Sequence, residues 1–245
     1  MTDFNCFVGN WPFHTLPRSS VSDLAALHLQ NGISGGYVSC LESIFYNDVY
    51  ESELMLHEAI RDTSYQHVVT VNPTVSAAAN TLLRCIEEFS VKGIRLHPTY
   101  HGYDMDDEVL APITDIAEKY ALPIFINARM LDERMTYMIT PPSMNFDALK
   151  RFIANNENVK IVLCYFREHE IGNMKEEIMN KANVYTDTTG IRGNLFGETE
   201  LYKIFDKAVY GSGFPLCSMT AGAMMLRCEI EDERIKSDLL SRDRI

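Results

Sequence analysis

Short apolar runs rich in β-branched residues recur along the chain, at residues 3–9, 37–41, 67–73, 92–98, 122–127, 158–164, 183–187 and 208–212. Their starts lie roughly 25 to 36 residues apart. Runs of this length read as buried strands. The segments between them follow a helical period. From Ser20 to Asn31, Val21, Leu24, Ala25 and His28 share one face, Ser20 and Asp23 have capping-box spacing, and Gly32 follows the end. From Ala77 to Phe89, Leu82, Leu83, Ile86 and Phe89 form a second stripe. From Asp106 to Tyr120, Val109, Ile113, Ile116, Ala117 and Tyr120 form a third. Pro112 fits that helix only if the helix starts close to it.

Strict strand–helix alternation means parallel strands joined by right-handed crossovers. Eight such units in a chain of 245 residues match a closed (β/α)₈ barrel, a TIM barrel of the α/β class. An open doubly wound sheet would carry a glycine-rich phosphate loop after its first strand. Neither G-x-G-x-x-G nor G-x-x-x-x-G-K-[ST] occurs. No linker or composition shift divides the chain, so residues 1–245 are expected to form a single domain.

Composition narrows the partners. With 46% hydrophobic and 23% charged residues the chain is neither disordered nor fibrous. Lys and Arg total 22 against 34 Asp and Glu, a net charge of −12, which argues against nucleic acid and anionic membranes as partners. No apolar run reaches the ~18 residues of a bilayer span, and no signal peptide is evident at the N-terminus. Six cysteines lie scattered, never as Cys-x-x-Cys. They read as buried thiols in a reducing compartment, so a cytoplasmic location is expected. A small-molecule partner is expected, and homo-oligomerisation stays open.

A barrel places its chemistry at the C-terminal strand ends and the loops after them. The residues there are Asn5 and Phe7, Arg95 and His97, Asn127, Tyr165, Asp187, and the segment Ser212 to Pro215. Strand parity puts Asn5 and Phe7 on one face with Cys6 on the other. It pairs Arg95 with His97 and turns Leu96 and Cys164 toward the helices.

The opening DFNCFVGNWPF resembles the first strand of the amidohydrolase superfamily, in its amidohydrolase-2 (aminocarboxymuconate-semialdehyde-decarboxylase-like) branch. That branch reads Asp-x-His-x-His-x-Gly, and its two histidines bind a divalent metal. Here Asp3 and Gly9 keep their places, while Asn5 and Phe7 stand at the ligand positions. The stretch 93–127 is similar to the branch's fourth strand, loop, helix and fifth strand. The fifth-strand histidine falls at Asn127 and the sixth near Tyr165, and the late Gly-Ser-Asp-x-Pro appears as Gly211-Ser212-Gly213-Phe214-Pro215. The resemblance implies a metal-dependent-hydrolase-like barrel and the pocket's location. It does not imply metal hydrolysis, because no expected ligand remains and a catalytic zinc needs about three. No metal and no cofactor are expected; the vacated space is expected to hold water or the Phe7 ring, leaving Arg95 and His97 free to meet an anion.

The remaining polar groups each carry two readings. His97 and His101 flank Pro-Thr-Tyr; with Pro98 between them the segment reads as a loop. They are acid–base candidates or satisfied structural histidines. Arg95, on a lumen position, is either an anchor for a substrate carboxylate or half of an ion pair with Asp187 or Asp3. Asp187 is a general base or a hydrogen-bond partner of Thr188 and Thr189. Arg129, ahead of Asp132, Glu133 and Arg134, either points inward or joins a solvated charge run. Trp11 is a pocket wall or a core aromatic, and Tyr165 a proton donor or a core filler. With Asn5 and Asn127 these make the candidate substrate-binding set.

Two functions follow. One is a metal-independent, lactonase-like hydrolase of a small anionic or carbohydrate-like substrate; metal-free lactonases do occur in the superfamily. The other is a catalytically inactive pseudoenzyme that binds a small molecule or a protein. Convergence of a histidine and a carboxylate in the pocket would favour the first. A pocket filled by Phe7, Tyr165 and Trp11 would favour the second.

Overall fold

The computed structural model describes residues 1–130, 141–191, 204 and 206–229. The expected Asp132, Glu133 and Arg134 lie outside the described residues. Eight strands occur, each within one of the predicted runs or overlapping it: β1 Thr2–Val8, β2 Gly35–Cys40, β3 Gln66–Val71, β4 Val91–Leu96, β5 Ile124–Asn127, β6 Ile161–Cys164, β7 Val184–Asp187 and β8 Ala208–Val209. They pair in chain order, each parallel to the next. The chain at and after β8 then bonds β1: Phe4 N–H donates to Tyr210 O, Gly213 N–H to Asn5 O and Phe7 N–H to Phe214 O, each at 2.8 Å. These bonds close the sheet into the expected (β/α)₈ barrel.

The helices follow their sequence stops. α1 (Val21–Gln30) opens on a capping box in which the Ser20 hydroxyl accepts the Asp23 N–H and Asp23 accepts the Ser20 N–H. α2 (Tyr50–Ile60) buries Leu56 and Ile60 under the sheet, and α3 (Ala78–Glu88) buries Leu82 and Cys85. α4 is the four-residue turn Pro98–His101. A 3-10 turn at Glu108–Leu110 leads into α5 (Ala111–Lys119), which places Pro112 within its first two positions, where its missing N–H costs nothing. α6 (Phe146–Asn155), α7 (Glu168–Asn173), α8 (Lys175–Asn180) and α9 (Met219–Glu229) complete the described elements. Among the described residues no helix is long and apolar enough to cross a membrane.

Two cores result. The larger lies between sheet and helices and takes Cys6, Ile94, Leu96, Ile126 and Leu163. The smaller fills the floor of the lumen with Phe4, Val68, Phe125, Val162, Cys164 and Val209. Leu96 faces the helices as its parity required. Cys164 does not: it joins the lumen floor, contrary to the sequence reading. β6 stops at Cys164, and Tyr165 leaves it with a left-handed φ of 60°, so alternation cannot be counted back from Tyr165. A register shift in β1, where Asp3 faces Gly36 but Cys6 faces Val38, supplies one extra residue. That bulge lets both Phe4 and Asn5 reach the lumen.

Candidate functional site

Above the apolar floor the lumen turns polar, and one side chain organises it. Arg95, from β4, is fully buried. Its Nε donates to Ser39 Oγ at 2.8 Å, and its Nη1 donates to Asn5 Oδ1 at 2.5 Å and Asn127 Oδ1 at 2.8 Å. The Phe7 and Phe125 rings flank the guanidinium, with centroids 4.6 and 5.0 Å from Cζ. Nη2 has no oxygen or nitrogen partner among the described residues; the side chain that meets the guanidinium there is the Cys164 thiol, a weak acceptor that leaves the N–H groups poorly satisfied. Arg95 therefore makes neither of the ion pairs considered from sequence, and it is less free than expected, since Nε and Nη1 are engaged.

Asn5 is the link to the anion. Its Oδ1 accepts from Arg95 while its Nδ2 donates to Asp187 Oδ2 at 2.7 Å and lies 3.1 Å from Thr189 Oγ1. A carboxamide is suited to this place, because it offers an acceptor to a cation and a donor to an anion at once. Asp187, at the end of β7, also accepts from the Tyr165 N–H (2.8 Å), the Thr189 N–H (3.2 Å) and the Thr189 hydroxyl (2.6 Å). Burial pushes its pKa up to about 6, against the lowering effect of those donors. Gly211 admits this arrangement, since a Cβ there would stand 2.5 Å from both Asp187 Oδ2 and Thr189 Oγ1.

His97 follows β4 directly, as the N-cap of α4, two residues beyond Arg95. It is fully buried, and neither ring nitrogen has a partner among the described residues. Burial, reinforced by His101 and Arg95, holds its pKa well below the imidazole range, so the ring is neutral. Phe7, Tyr100 and His101 surround it, with ring centroids 6.3, 6.4 and 6.0 Å away. The segment after it is not the loop expected from Pro98. Pro98 opens a single helical turn, and His97 and His101 come to lie one turn apart on the same side. His101 Nε2 lies 2.8 Å from Ile44 O, which places its proton there and leaves Nδ1 an unpartnered lone pair. Burial lowers its pKa too.

Arg129, two residues beyond the end of β5, is turned to another task. It forks onto the Glu170 carboxylate, with Nη1 2.6 Å from Oε2 and Nη2 on Oε1, and Nη1 also donates to Tyr165 O at 2.7 Å. That pair ties the loop after β5 to α7. The expected substrate contact by Arg129 has no support in this geometry. Trp11 is buried in an aromatic cluster with Phe13, Phe45 and Tyr100 at 5.4, 5.3 and 6.3 Å, close to the Phe7 and Ile44 layer. Tyr165 is buried, and its hydroxyl accepts from the Cys217 thiol at 3.4 Å. The structure thus brings Asn5, Arg95, Asn127 and Asp187 into one network, sets His97 and His101 above it, and leaves Trp11 and Arg129 at the rim.

Sequence reasoning missed Ser39 and Glu170; it named Thr189 only as a partner of Asp187, and it turned Cys164 away from the lumen. Ser39 carried a signal, being a hydroxyl on the Tyr37 face of an apolar strand. Thr189 carried a local one, standing two residues beyond Asp187, which its N–H and hydroxyl reach. Glu170 carried none, since it meets Arg129 only in the folded chain. The Cys164 thiol lies beside Arg95, but burial first, and Asp187 next, raise its pKa well above the usual thiol range. A thiol held in that direction stays protonated, which disfavours it as a nucleophile.

The positions where the resemblance expects metal ligands do not fit a divalent ion. The amide oxygens of Asn5 and Asn127 are spent on a guanidinium, and Phe7 lies over it as a ring. Gly213 has φ 64°, and a Cβ there would stand 2.6 Å from Thr189 Cγ2. Among the described residues the only convergence of metal-type side chains is Asp3, Cys6 and His28. That group lies between β1 and α1, with Asp3 Oδ2 3.1 Å from His28 Nε2 and His28 Nδ1 3.0 Å from the Tyr65 hydroxyl.

Solved structures with this architecture include an uncharacterised TIM-barrel protein of Bordetella bronchiseptica (TM-score 0.71, 12% identity, covering 98% of this chain and 95% of that one). A 5-carboxyvanillate decarboxylase of Sphingomonas paucimobilis matches with TM-score 0.67 and 14% identity over 91% of this chain and 81% of its own. A putative 2-pyrone-4,6-dicarboxylic acid hydrolase of Pseudomonas putida matches with TM-score 0.63 and 14% identity over 97% and 93%. At such identities these likenesses speak for the fold. No curated protein matches the sequence. The Amidohydro_2 model, described as amidohydrolase, matches residues 17–226, from just after β1 into α9, and the chain belongs to that amidohydrolase family.

Proposed function

We propose that the protein is a metal-independent, lactonase-like hydrolase of a small carboxylate-bearing substrate. One observation carries the reading: Arg95 Nη2 and both His97 nitrogens are buried, adjacent in the barrel and without an oxygen or nitrogen partner among the described residues. Buried polar groups are ordinarily satisfied, so such a set is a place where a ligand belongs. The substrate class agrees with two neighbours of the same fold, whose names specify carboxylated rings.

In this reading the two N–H groups of Nη2 donate to a substrate carboxylate or to the ester carbonyl. Asn5, Asn127 and Ser39 fix the plane of the guanidinium. His97, kept neutral by burial, takes a proton from the attacking water as the water oxygen bonds to the carbonyl carbon. It returns the proton to the alkoxide released when the ring C–O bond breaks. The sum is lactone plus water giving a hydroxy acid. His101 buttresses His97. Asp187 is a positioning residue: four donors occupy its carboxylate, so it holds Asn5 and the Tyr165 backbone rather than serving as the base. Trp11, Phe7 and Tyr165 form apolar walls. The five described cysteines are free thiols, in keeping with a cytoplasmic location.

The test is acid release from a panel of carboxylated lactones in the presence of a chelator. Turnover with chelator, reduced at least a hundredfold in His97→Gln, is expected; equal turnover by that variant would overturn the assignment. A second reading, a non-catalytic binding protein, is favoured by the Phe7 ring over the guanidinium and by the absence, among the described residues, of a carboxylate bonded to His97. Calorimetric binding of a carboxylated ring without any product would select it.

A further inference from the structure

The centre of the barrel is a place where two neutral carbonyl-type oxygens face each other across a cation. Arg95 Nη1 stands 2.5 Å from Asn5 Oδ1 and 2.8 Å from Asn127 Oδ1, between oxygens donated by β1 and β5. A metal ion bridging the same two oxygens would need that very point, at ~2.0–2.6 Å from each. The rest of the setting is also that of an ion site. Ser39 Oγ completes the oxygen shell at 2.8 Å from Nε, and Asn5 passes the charge to Asp187 through Nδ2. The Phe7 and Phe125 rings present their faces to the guanidinium, the arrangement that attracts a cation.

We propose that this barrel carries its central cation covalently: the Arg95 guanidinium occupies a true cation site built by Asn5, Asn127, Ser39, Phe7 and Phe125. It excludes divalent metals, and when the side chain is removed the site accepts free guanidinium ion. Exclusion is electrostatic as well as steric. Two buried carboxylates act on the guanidinium, Asp187 through Asn5 and, more weakly, Asp3, which is itself engaged by His28. A divalent ion beside Arg95 would set three positive charges against those two anions in a buried site. Selectivity for guanidinium follows from shape. Ser39 and the two amides accept in the plane of a forked donor, and two ring faces cover it, a slot that suits a flat ion better than a spherical one. The inference stands whether the chain hydrolyses its ligand or only binds it.

The experiment is rescue of Arg95→Ala, read as melting temperature rather than turnover. Low-millimolar guanidinium or methylguanidinium chloride should raise the variant's Tm saturably, as a ligand of the folded state does. Urea, a neutral molecule of nearly the same shape, and sodium chloride should not. The same guanidinium concentrations should leave the wild type without any saturable gain. If urea rescues equally, the slot recognises shape and not charge, and the proposal fails; rescue by neither overturns it as well. Should Arg95→Ala not fold unaided, guanidinium added during its refolding should raise the soluble yield where equal urea and sodium chloride do not, and no gain over those controls overturns the proposal. A Mn²⁺ titration followed by paramagnetic resonance supplies a measurement on the wild type. No bound manganese at the barrel centre is expected, and one manganese per chain, lost in Asn5→Leu, would overturn exclusion. Failure of lactone turnover would touch none of these readouts.

Discussion

Two buried arginines, Arg95 in the lumen and Arg129 at the rim, answer the same physical problem in opposite ways. Arg129 meets a carboxylate directly: Glu170 takes both arms of its fork, and the Tyr165 carbonyl takes a further N–H. Arg95 meets only neutral oxygens, with its nearest anion one amide away. The acids at the far ends record the difference. Burial raises Glu170, but the Arg129 fork and the Arg167 N–H outweigh it, and its pKa lies below the usual value. Asp187, separated from its arginine by Asn5, stays raised to about 6. A direct pair neutralises a charge and ends as structure. A charge held by dipoles keeps an edge, Nη2, without an oxygen or nitrogen partner among the described residues, and the proposed binding role rests on that edge.

The sharpest way to break that contrast is to remove each cation. Arg95→Met should destabilise by about 3–5 kcal/mol in urea unfolding, since it strands Asn5, Asn127 and a buried Asp187, and it should abolish binding of any carboxylate ligand. Arg129→Met should cost ~3 kcal/mol, and the double change with Glu170→Met should recover most of it, because a buried pair can be exchanged for apolar groups as a unit. Ligand affinity should survive in the double variant. Loss of binding there, equal to that of Arg95→Met, would erase the distinction.

Acid titration sharpens it further. Asp187 has a folded pKa above its unfolded value, so the folded state binds the proton more tightly. The stability of wild type relative to Asp187→Asn should therefore rise as pH falls through about 6 toward the ordinary carboxylate range. Glu170 is depressed and has the opposite sign. Relative to Glu170→Gln, the wild type should lose stability as pH falls below the usual glutamate range. Paired melting curves across pH check both; parallel curves for both variants would remove the contrast. Least in effect, Ser39→Ala should cost about 1–2 kcal/mol by leaving Arg95 Nε unpaired, and should weaken ligand binding through the tilt of the guanidinium.

The barrel itself was legible. Ser20, Asp23 and Gly32 marked α1 at both ends, and apolar runs at known intervals marked all eight strands, because burial on both faces demands continuous apolar residues. Parity also read Arg95 and Leu96 correctly, since the irregularity in β4 lies at its start and the strand is regular from Gly93 to Leu96. It misplaced Cys164, where the strand stops and Tyr165 turns left-handed, and it could not see that the β1 bulge brings Phe4 inside with Asn5. The helical turn at Pro98–His101 was read as a loop because proline was taken as a breaker, whereas at a first helical position it is a starter.

By itself the sequence determined the fold class and the family resemblance, and it named Asn5, Phe7, Asn127 and Gly213 as the residues at the positions that resemblance singles out, all of them properties of periodicity and residue type. Which arginine would be spent and which left with a free edge was decided only in three dimensions. Glu170 lies 41 residues from Arg129, and Asp187 lies 182 from Asn5. Closure of the barrel alone sets those distances to hydrogen-bond length, and a chain of residue types holds no record of which polar group another will meet.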